Sequence, residues 1–300
     1  MLALFFTSMI RHSNCKVNLL LNILGKRDDG FHELETVMQP VDVCDSLTFE
    51  RGGNGIQLSC SNRLLPVDSK NLVYRAAALF LESSKIKEGV RITLDKKLPV
   101  AAGLGGGSGN AGTTLLALNE LFGFPKKQEK LVKLASVLGS DVPFFLQSKP
   151  ALGTGRGEKI VSLDNFPALK GTSIVLVHPG FGISTPWAYG ELAKYPEAGN
   201  GAPGRAQKLI SLLQGDNLAA AAKEFYNSLE APALNKYPLL FLFQEFFREN
   251  GAIVTLMSGS GSATFALTAS QSAGETLLEK FKSKFGLQYW TAVVPLSGSV

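Results

Sequence analysis

The chain has 300 residues, of which 45% are hydrophobic and 18% are charged. This length suits two modest domains or one large one, and the hydrophobic content is ample for buried cores. The net charge of +5 comes from 30 basic and 25 acidic side chains that are dispersed along the sequence. Because the sequence has no basic stripe with interleaved aromatic residues, it argues against a nucleic-acid partner, while a mild positive field favours anionic substrates.

The cysteines and the amino-terminal residues indicate the compartment. Cys15, Cys44 and Cys60 are odd in number and lack Cys-x-x-Cys spacing, so they favour a reduced cytoplasm over a disulfide framework or a metal site. Residues 1–10 are apolar, but they are too few to span a membrane and lack the features of a signal peptide. We therefore expect a cytoplasmic protein that does not associate with a membrane.

The first predicted strand has alternating residues, with apolar Val17, Leu19, Leu21 and Ile23 set between polar Lys16, Asn18 and Asn22. A period of two residues places Lys16 and Asn18 on the same face. On the sequence alone, Lys16 is more simply a surface lysine at the start of a strand.

A turn is predicted at Asp28-Asp29-Gly30, and Phe31 and His32 follow it directly. A single histidine is more often structural than functional. On the pattern alone, His32 therefore carries no assigned role.

Two further strands and a helix are predicted next. The strands cover residues 41–49 and 56–60, with a glycine-rich turn at residues 52–55 between them. A helix is predicted over residues 71–81, and a strand with alternating apolar residues over residues 90–95.

A glycine-rich run occupies residues 98–112 and leads into a helix predicted over residues 114–122. Its glycines let the backbone approach a polyphosphate and turn several N–H groups toward it, and the helix start adds the positive end of its dipole. Ser108 adds a hydroxyl that suits a phosphate oxygen or magnesium. A flexible linker is the alternative, but the apolar Leu104 and the adjoining amphipathic helix favour a site for a nucleotide phosphate.

Three common nucleotide sites do not fit this run. A Walker A motif needs Gly-Lys-Ser/Thr, and the Gly-Lys pair of this chain, Gly25-Lys26, is followed by Arg27. The protein-kinase triplets His-Arg-Asp and Asp-Phe-Gly do not occur in the sequence. A dinucleotide fingerprint needs an acidic residue at the end of the next strand, whereas Glu120 falls inside the predicted helix.

A second helix is predicted over residues 131–138 and ends at Gly139. Asp141 stands two residues before Pro143, a spacing that supports a helix N-cap and a functional carboxylate about equally, and the two roles are compatible. Residues 151–158 form a second glycine cluster, which we interpret as a turn between strands.

A domain boundary is predicted within residues 166–171, where Pro167 and Gly171 precede a strand. Residues 191–204, rich in proline and glycine, are predicted to form an exposed loop. The remaining predicted strands are 173–177, 252–257, 263–267 and 289–294, and the remaining predicted helices are 206–213, 218–226, 239–248 and 273–285. This mixture in a short second domain predicts an α+β fold rather than a doubly wound sheet.

Several motifs stand in the order that is typical of one enzyme family. Residues 99–109 approximate its pattern Pro-x-x-x-Gly-Leu-Gly-Gly/Ser-Gly/Ser-Ser. The other matching segments are residues 16–21, 26–34, 139–145, 178–180, 185–186 and 258–262. On these motifs the chain resembles the GHMP kinases (galactokinase, homoserine kinase, mevalonate kinase and relatives), and within them the branch that acts on diphosphocytidyl-methylerythritol.

The resemblance implies a two-domain α+β GHMP kinase fold. Its N-terminal domain, similar to ribosomal protein S5, covers residues 1–168, and its C-terminal ferredoxin-like α/β-plait domain covers residues 169–300. It also implies that the protein phosphorylates a hydroxyl group with ATP and Mg2+ as cofactors.

The catalytic pair implied by the resemblance is Lys16 and Asp141. Asp141 accepts the substrate proton or orients the hydroxyl, while Lys16 keeps Asp141 ionised and offsets the oxygen charge. The residues assigned to ATP are Pro99, Val100, Ala101, Ala102, Gly103, Leu104, Gly105, Gly106, Gly107, Ser108 and Gly109. The magnesium ligands stay unassigned.

The implied substrate is 4-diphosphocytidyl-2-C-methyl-D-erythritol, phosphorylated on its 2-hydroxyl in the non-mevalonate pathway to isoprenoid precursors. The residues implied to surround it are Asn18, Phe31, His32, Thr185 and Tyr189. Phe31, where tyrosine is usual, stacks on the cytosine with Tyr189 opposite, and His32 forms a hydrogen bond to the base. The partner is this small molecule, and the protein is expected to be a monomer or a homodimer.

The chain departs from the family pattern at three loop positions. Gly109 replaces the usual second serine, Ala101 a frequent glycine, and Asn110 a frequent aspartate. We therefore expect a loop that binds ATP with one fewer hydroxyl contact. Because the family begins near residue 14, Met9 is expected to be the true start, unless the first residues form a frayed extension.

Two alternative functions stay open. One is another GHMP kinase, of the homoserine or mevalonate type, which has no need of Phe31 and His32. The other is a non-catalytic nucleotide-binding module, and the presence of both Lys16 and Asp141 argues against it.

Overall fold

The computed structural model describes residues 8–296. These residues divide into two compact units, each built from several stretches of the chain. Unit 1 contains residues 8–15, 44–98 and 105–148, and unit 2 contains residues 16–43, 99–104 and 149–296. The predicted extension at the amino terminus lies largely outside the described residues. A domain boundary at residue 168 stays a prediction.

Both strands and helices are present in each part of the described chain. The strands are β1 (Ser8–Lys26), β2 (His32–Arg51), β3 (Ile56–Cys60), β4 (Val90–Asp95), β5 (Ala151–Gly155), β6 (Lys159–Ser162), β7 (Ser173–His178), β8 (Tyr226–Asn227), β9 (Val254–Met257), β10 (Thr264–Thr268) and β11 (Trp290–Pro295). The α-helices are α1 (Leu72–Ser84), α2 (Gly106–Leu121), α3 (Gln128–Leu138), α4 (Thr185–Glu191), α5 (Pro196–Gly199), α6 (Arg205–Gln214), α7 (Leu218–Ala221), α8 (Glu230–Lys236), α9 (Pro238–Glu249) and α10 (Gln271–Phe285). Short 3-10 helices lie at Val142–Leu146, Pro167–Leu169, Leu192–Lys194 and Ala222–Glu224.

In unit 1, the second part of β2 pairs antiparallel with β4, and β4 pairs in parallel with β3. The alternation predicted for β4 is confirmed, because Val90, Ile92 and Leu94 are all buried. Side chains of α1, α2 and α3, among them Phe80 and Leu118, pack into the same core. The apolar faces of these strands and helices therefore pack together in one buried layer.

The glycine-rich turn at residues 52–55 does not make a hairpin between β2 and β3. Instead, the carbonyl oxygens of Gly53 and Gly55 accept hydrogen bonds from the amides of Gly89 and Val90, at 3.2 and 2.9 Å. These bonds lead β3 into parallel pairing with β4.

Helix α2 begins at Gly106, well before the predicted start at residue 114. The prediction was wrong because it counted these glycines as loop residues. An added Cβ at Gly109 would stand 2.9 Å from Ser13 Oγ, and one at Gly112 would stand 2.8 Å from Phe145 Cβ. Glycine thus serves close packing of a helix here.

Unit 2 contains a four-stranded antiparallel sheet in the order β11-β7-β10-β9. Helix α9 precedes β9, and α10 connects β10 to β11, which is a ferredoxin-like arrangement. Phe243, Phe247 and Phe281 are fully buried in its core, and the rings of Phe243 and Phe281 meet edge to face at 4.9 Å.

The rest of unit 2 contains shorter pairings. The first part of β2 pairs with β5, β5 pairs with β6, and β1 pairs in parallel with β8. The glycine cluster at residues 151–158 is therefore largely strand, and only its last residues form the predicted turn. Gly153 lies opposite Thr36, where an added Cβ would stand 2.9 Å from the threonine Cγ2, so the glycine permits this pairing.

The segment 191–204 is not the exposed loop that its prolines and glycines predict. It contains a 3-10 helix and α5, and Leu192 and Ala198 are buried in an apolar cluster with Ile183. Similarly, the helix predicted over residues 218–226 ends early, because Tyr226 pairs with β1. Two short helices, α4 and α8, were not predicted at all.

Candidate active site

Lys16 is a buried residue of β1, only 2% exposed, so the simpler interpretation as a surface lysine was wrong. Its Nζ donates to Asn18 Oδ1 at 2.6 Å and to the carbonyl oxygen of Gly103 at 2.9 Å. Its backbone amide donates to the carbonyl oxygen of Leu104 at 3.0 Å. A buried ammonium requires such acceptors, and the Gly103 carbonyl oxygen places it against the glycine-rich run.

Asn18 is also buried, and protein groups engage both ends of its side-chain amide. Its Nδ2 donates to Thr36 Oγ1 at 2.8 Å, and the Thr36 hydroxyl in turn donates to the carbonyl oxygen of Leu20 at 2.6 Å. The predicted role of Asn18 in binding substrate stays a prediction. Sequence reasoning missed Thr36, because a threonine in a strand is ordinary and its partners lie on a different strand.

The motif at residues 258–262 packs against the glycine-rich run. Ser258 Oγ donates to the carbonyl oxygen of Gly103 at 3.0 Å. The side-chain amide of Asn227 donates to the carbonyl oxygens of Met257 and Gly259, both at 2.7 Å, and so fixes the start of the motif. The motif contributed to the family resemblance, whereas Asn227 gave no signal in the sequence.

The residues predicted to bind ATP form an irregular loop that leads into the first turn of α2. Gly105, with φ +71°, is the N-cap, and the helix start has neither a side-chain cap nor an acidic residue in its first turn. The first N–H groups of a helix have no partner within it, so this end suits an anion. Ala101 has φ +54°, a backbone that glycine adopts with less strain, which explains why glycine is frequent there.

A buried ionic cluster lies where β4 leads into the loop. Asp45 is completely buried, forms an ion pair with Lys96, and accepts a hydrogen bond from Asn110 Nδ2 at 2.9 Å. Its other carboxylate oxygen accepts from the backbone amides of Lys97 and Leu98, at 2.8 and 2.9 Å. The sequence marked Asn110 only as a departure from the family pattern, whereas the structure makes it a partner of Asp45.

Asp141 lies between the end of α3 and the 3-10 helix Val142–Leu146, at the N-cap position. Its side chain makes no capping hydrogen bond to that helix, and Pro143 lies in the first turn, as the spacing predicts. The backbone position is therefore the expected one, and the catalytic role of Asp141 stays a prediction.

Four aromatic and basic side chains lie in the region assigned to cytidine. The ring of Phe31 is 51% exposed, and the Arg156 guanidinium lies 4.5 Å from its centroid. The rings of His32 and Tyr189 lie 5.2 Å apart at 41°. The Arg156 guanidinium thus lies over Phe31, although Arg156 had no predicted role, and the placement of Tyr189 opposite Phe31 stays a prediction.

The protonation of His32 and the hydrogen bond of Thr185 bear on the same region. Partial burial, helped by the charge of Lys26, lowers the pKa of His32 below its ordinary value, so the imidazole is neutral near neutral pH. Thr185 is exposed at the start of α4, and its hydroxyl lies 2.8 Å from that of Ser260.

Within residues 8–296, no group of three or more His, Cys, Asp or Glu side chains is arranged to hold a metal ion. Magnesium in phosphoryl-transfer sites takes one or two protein oxygens and obtains the rest from phosphates and water, so it does not need such a group. In the same part of the chain, no helix has the length and apolarity to cross a membrane.

Comparison with protein families gives two matches. The model described as GHMP kinases N terminal domain matches residues 71–149, and the one described as GHMP kinases C terminal matches residues 207–287. The chain belongs to the GHMP kinase family. The predicted α+β GHMP kinase fold is therefore confirmed, and the chain is an ATP-dependent kinase of a small molecule.

This GHMP kinase is similar to curated relatives over nearly its whole length. A Clostridium novyi protein named 4-diphosphocytidyl-2-C-methyl-D-erythritol kinase is 34% identical over 291 residues, covering 95% of this chain and 100% of the relative. A Clostridium botulinum (strain Kyoto / Type A2) protein of the same name is 39% identical over 286 residues, covering 92% and 98%.

Solved structures agree with this assignment. A crystal structure of 4-(cytidine 5'-diphospho)-2C-methyl-D-erythritol kinase matches this GHMP kinase with a TM-score of 0.79 and 34% identity, covering 95% of this chain and 98% of the other. The homoserine kinase of Cytophaga hutchinsonii matches with a TM-score of 0.77 at 20% identity, covering 98% and 96%, which shows the shared fold alone.

Proposed function

We propose that this GHMP kinase transfers the γ-phosphoryl group of ATP to the 2-hydroxyl of 4-diphosphocytidyl-2-C-methyl-D-erythritol, in the non-mevalonate pathway to isoprenoid precursors. The observation that carries the proposal is the similarity over nearly the full length to relatives named for this reaction, at 34% and 39% identity. Phe31 and His32, which the motif assigns to cytidine, support the same substrate.

Lys16 and Asp141 are the proposed catalytic residues. Phosphoryl transfer depends mainly on aligning the hydroxyl and stabilising charge, so a carboxylate that accepts or orients the hydroxyl proton and an ammonium that offsets oxygen charge suffice. The position of Lys16 supports its proposed catalytic role, because Asn18 and Gly103 hold its buried Nζ at the ATP loop.

The phosphates of ATP are proposed to bind the loop and the first turn of α2. The start of this helix has no side-chain cap and no acidic residue, so its amides suit the β- and γ-phosphates. Mg2+ supplies neutralising charge to the phosphates when bound. The Ser108 hydroxyl, in the first helical turn, is its proposed protein contact.

The cytidine is proposed to bind at Phe31, His32, Thr185 and Tyr189. The exposed ring of Phe31 offers a stacking surface. A neutral His32 presents one ring N–H donor and one acceptor nitrogen, which fits the amino and carbonyl groups of cytosine. Gly109 in place of serine is proposed to leave the loop with one fewer hydroxyl contact to ATP.

A panel of acceptors tests the proposal. Purified protein is incubated with ATP, Mg2+ and, separately, the diphosphocytidyl substrate, homoserine or mevalonate, and ADP release is measured. Of the three acceptors, we expect turnover only with the diphosphocytidyl substrate. Phosphorus NMR should locate the new phosphate on the tertiary carbon of that substrate. Faster turnover of homoserine or mevalonate would favour the second kinase type, and ATP binding without any transfer would favour the non-catalytic module.

We also propose that the enzyme works in the cytoplasm as a monomer or homodimer, with its domain boundary near residue 168. Light scattering on the purified protein measures the oligomeric state. Limited proteolysis that cuts within residues 166–171 and leaves two stable fragments would support the boundary, and cuts confined to other segments would contradict it.

A further inference from the structure

Lys16, the catalytic lysine of the proposed function, lies at the end of a chain of hydrogen bonds. The Thr36 hydroxyl oxygen lies 2.6 Å from the carbonyl oxygen of Leu20 and 2.8 Å from Asn18 Nδ2. A backbone carbonyl has no proton to give, so Thr36 must donate to Leu20. Its single hydroxyl proton is then committed, and toward Asn18 the threonine can only accept.

The orientation of the Asn18 amide follows from this constraint. Because Thr36 accepts, Asn18 must turn its NH2 group toward Thr36 and its Oδ1 toward Lys16, whose Nζ lies 2.6 Å away. The two ends of an amide have nearly the same shape, so only hydrogen bonding decides between them. The reversed amide would set two donors, NH2 and NH3+, against each other.

Burial makes this constraint effective. Lys16 is 2%, Asn18 is 3% and Thr36 is 4% exposed. In such a setting an unmade hydrogen bond costs more than it does at the surface. The hydrogen bond from Thr36 to Leu20 therefore influences which end of the Asn18 amide faces the Lys16 ammonium.

We propose that Thr36 is a positioning residue for Lys16. It fixes the Asn18 amide with its oxygen toward the lysine, so that Nζ is held between Asn18 Oδ1 and the carbonyl oxygen of Gly103. This inference rests on the proposed function, because it takes Lys16 to act on the transferred group. It assigns Asn18 to the support of the lysine in addition to any contact with substrate.

Replacement of the threonine by isosteric valine tests the proposal. Thr36→Val keeps the shape but removes the acceptor of Asn18 Nδ2, so the amide is no longer held in place beside Lys16. We therefore expect kcat to fall roughly tenfold while both KM values stay within about twofold. Thr36→Ser restores the hydroxyl and should keep kcat within about twofold of the wild type.

Thr264→Val is the matched control. Thr264 is a fully buried strand residue of the same unit whose hydroxyl has no hydrogen-bond partner among residues 8–296, and it lies outside the proposed machinery. The valine there should leave kcat and both KM values unchanged. An equal kcat loss in the two valine variants would make the effect a general one of core threonines and would overturn the proposal.

The same experiments separate this inference from the proposed function. Wild-type turnover tests the function, and the ratio of variant to wild-type kcat tests Thr36. A Thr36→Val enzyme with wild-type kcat overturns the role of Thr36 and leaves the function intact.

A neutron structure of the wild type tests the orientation of the Asn18 amide, on which the inference depends, whether or not the substrate is turned over and whether or not Thr36→Val folds. Asn18 deuterons that point toward Thr36 support the proposal. Deuterons that point toward Lys16 overturn it.

Discussion

Gly103 lies so close to Ser258 that a Cβ added to the glycine would stand 2.0 Å from the serine carbonyl oxygen. The carbonyl oxygen of Gly103 also accepts hydrogen bonds from Lys16 Nζ and from Ser258 Oγ. Its φ of +78° is a left-handed conformation that favours glycine. Both its missing side chain and its backbone direction are therefore needed to bring the proposed catalytic lysine to the ATP loop.

Gly103→Ala should disrupt this arrangement. The added methyl group forces the loop away from Ser258 and strains the backbone, so the free energy of unfolding should fall by about 3 kcal/mol. Urea denaturation measures it, and kcat should fall as well because the lysine loses an acceptor. The control is Gly107→Ala in the first turn of α2, where the nearest atom, Leu72 Cδ1, is 3.6 Å from an added Cβ. That variant should be as stable as the wild type or more so, and equal losses would contradict the steric argument.

Asp45→Asn should destabilise the enzyme and weaken ATP binding. The new NH2 group would face two donors, Lys96 Nζ and Asn110 Nδ2, and would leave the buried Lys96 without its counter-ion. We expect a loss of about 3 kcal/mol in the free energy of unfolding, measured with urea, and a higher Kd for ATP by calorimetry. Asp95→Asn, an exposed change one residue before Lys96, should shift stability by no more than about 0.5 kcal/mol. An Asp45→Asn protein with the wild-type denaturation midpoint would show that the ion pair of Asp45 and Lys96 contributes nothing to stability.

Periodicity made much of the fold predictable. The strands around Lys16, at residues 90–95 and in the C-terminal sheet alternate or form short apolar runs, and they lie where the pattern placed them. A period of two residues indicates that one face of a strand is buried, and it can be read from neighbouring residues alone. Pairing partners were not predictable in the same way. The pairing of β3 with β4 depends on hydrogen bonds that the carbonyl oxygens of Gly53 and Gly55 accept from Gly89 and Val90, and no local pattern encodes them.

The candidate site shows the same limit. The family motif supplied Lys16, Asp141 and the ATP loop, whereas Thr36, Asp45 and Asn227 act through partners far away in the sequence. Glycine was ambiguous for a different reason. A glycine can form a turn, adopt a left-handed loop conformation or allow close packing of a helix. Only the atoms around Gly109 and Gly112 show that close packing is the reason for glycine at these two positions.

Lys16→Ala and Asp141→Asn should each lower kcat by about a hundredfold or more. Both groups are proposed to act in the transition state, so nucleotide binding, measured by calorimetry, should survive. Lys133→Ala, which removes an exposed lysine from α3, is the control and should leave kcat unchanged. Normal turnover by either of the first two variants would remove that residue from its proposed role.

Phe31→Leu and His32→Ala should each raise the KM for the cytidine substrate roughly tenfold, because stacking on a base contributes about 1–3 kcal/mol and a lost hydrogen bond costs a similar amount. The KM for ATP should stay unchanged, since neither residue belongs to the ATP loop. Phe124→Leu, at another exposed ring, serves as the control. Equal changes in the two KM values would indicate a general loss of structure rather than loss of cytidine recognition.

Glu230→Gln should stabilise the enzyme at alkaline pH. Burial raises the pKa of Glu230 to about 7, and this effect outweighs the lowering by the Met257 amide, Gln244 and Arg248. The acid is ionised above about pH 4.5 when unfolded but only above about pH 7 when folded, so its contribution to stability is greatest below pH 4.5 and is lost as the pH rises to 7.

Between these pH values, the ionisation of Glu230 should lower the free energy of unfolding of the wild type by an amount on the order of 2–3 kcal/mol. Glutamine does not ionise, and its oxygen can still accept from Met257 N and Gln244 Nε2, which lie 2.7 and 2.6 Å from Glu230 Oε1. The stability advantage of Glu230→Gln should therefore grow between about pH 4.5 and about pH 8, as measured by urea denaturation at each pH. Glu249→Gln, at an exposed carboxylate of α9, should show no such trend. An advantage of Glu230→Gln that is the same at both pH values would mean that Glu230 does not titrate in this range.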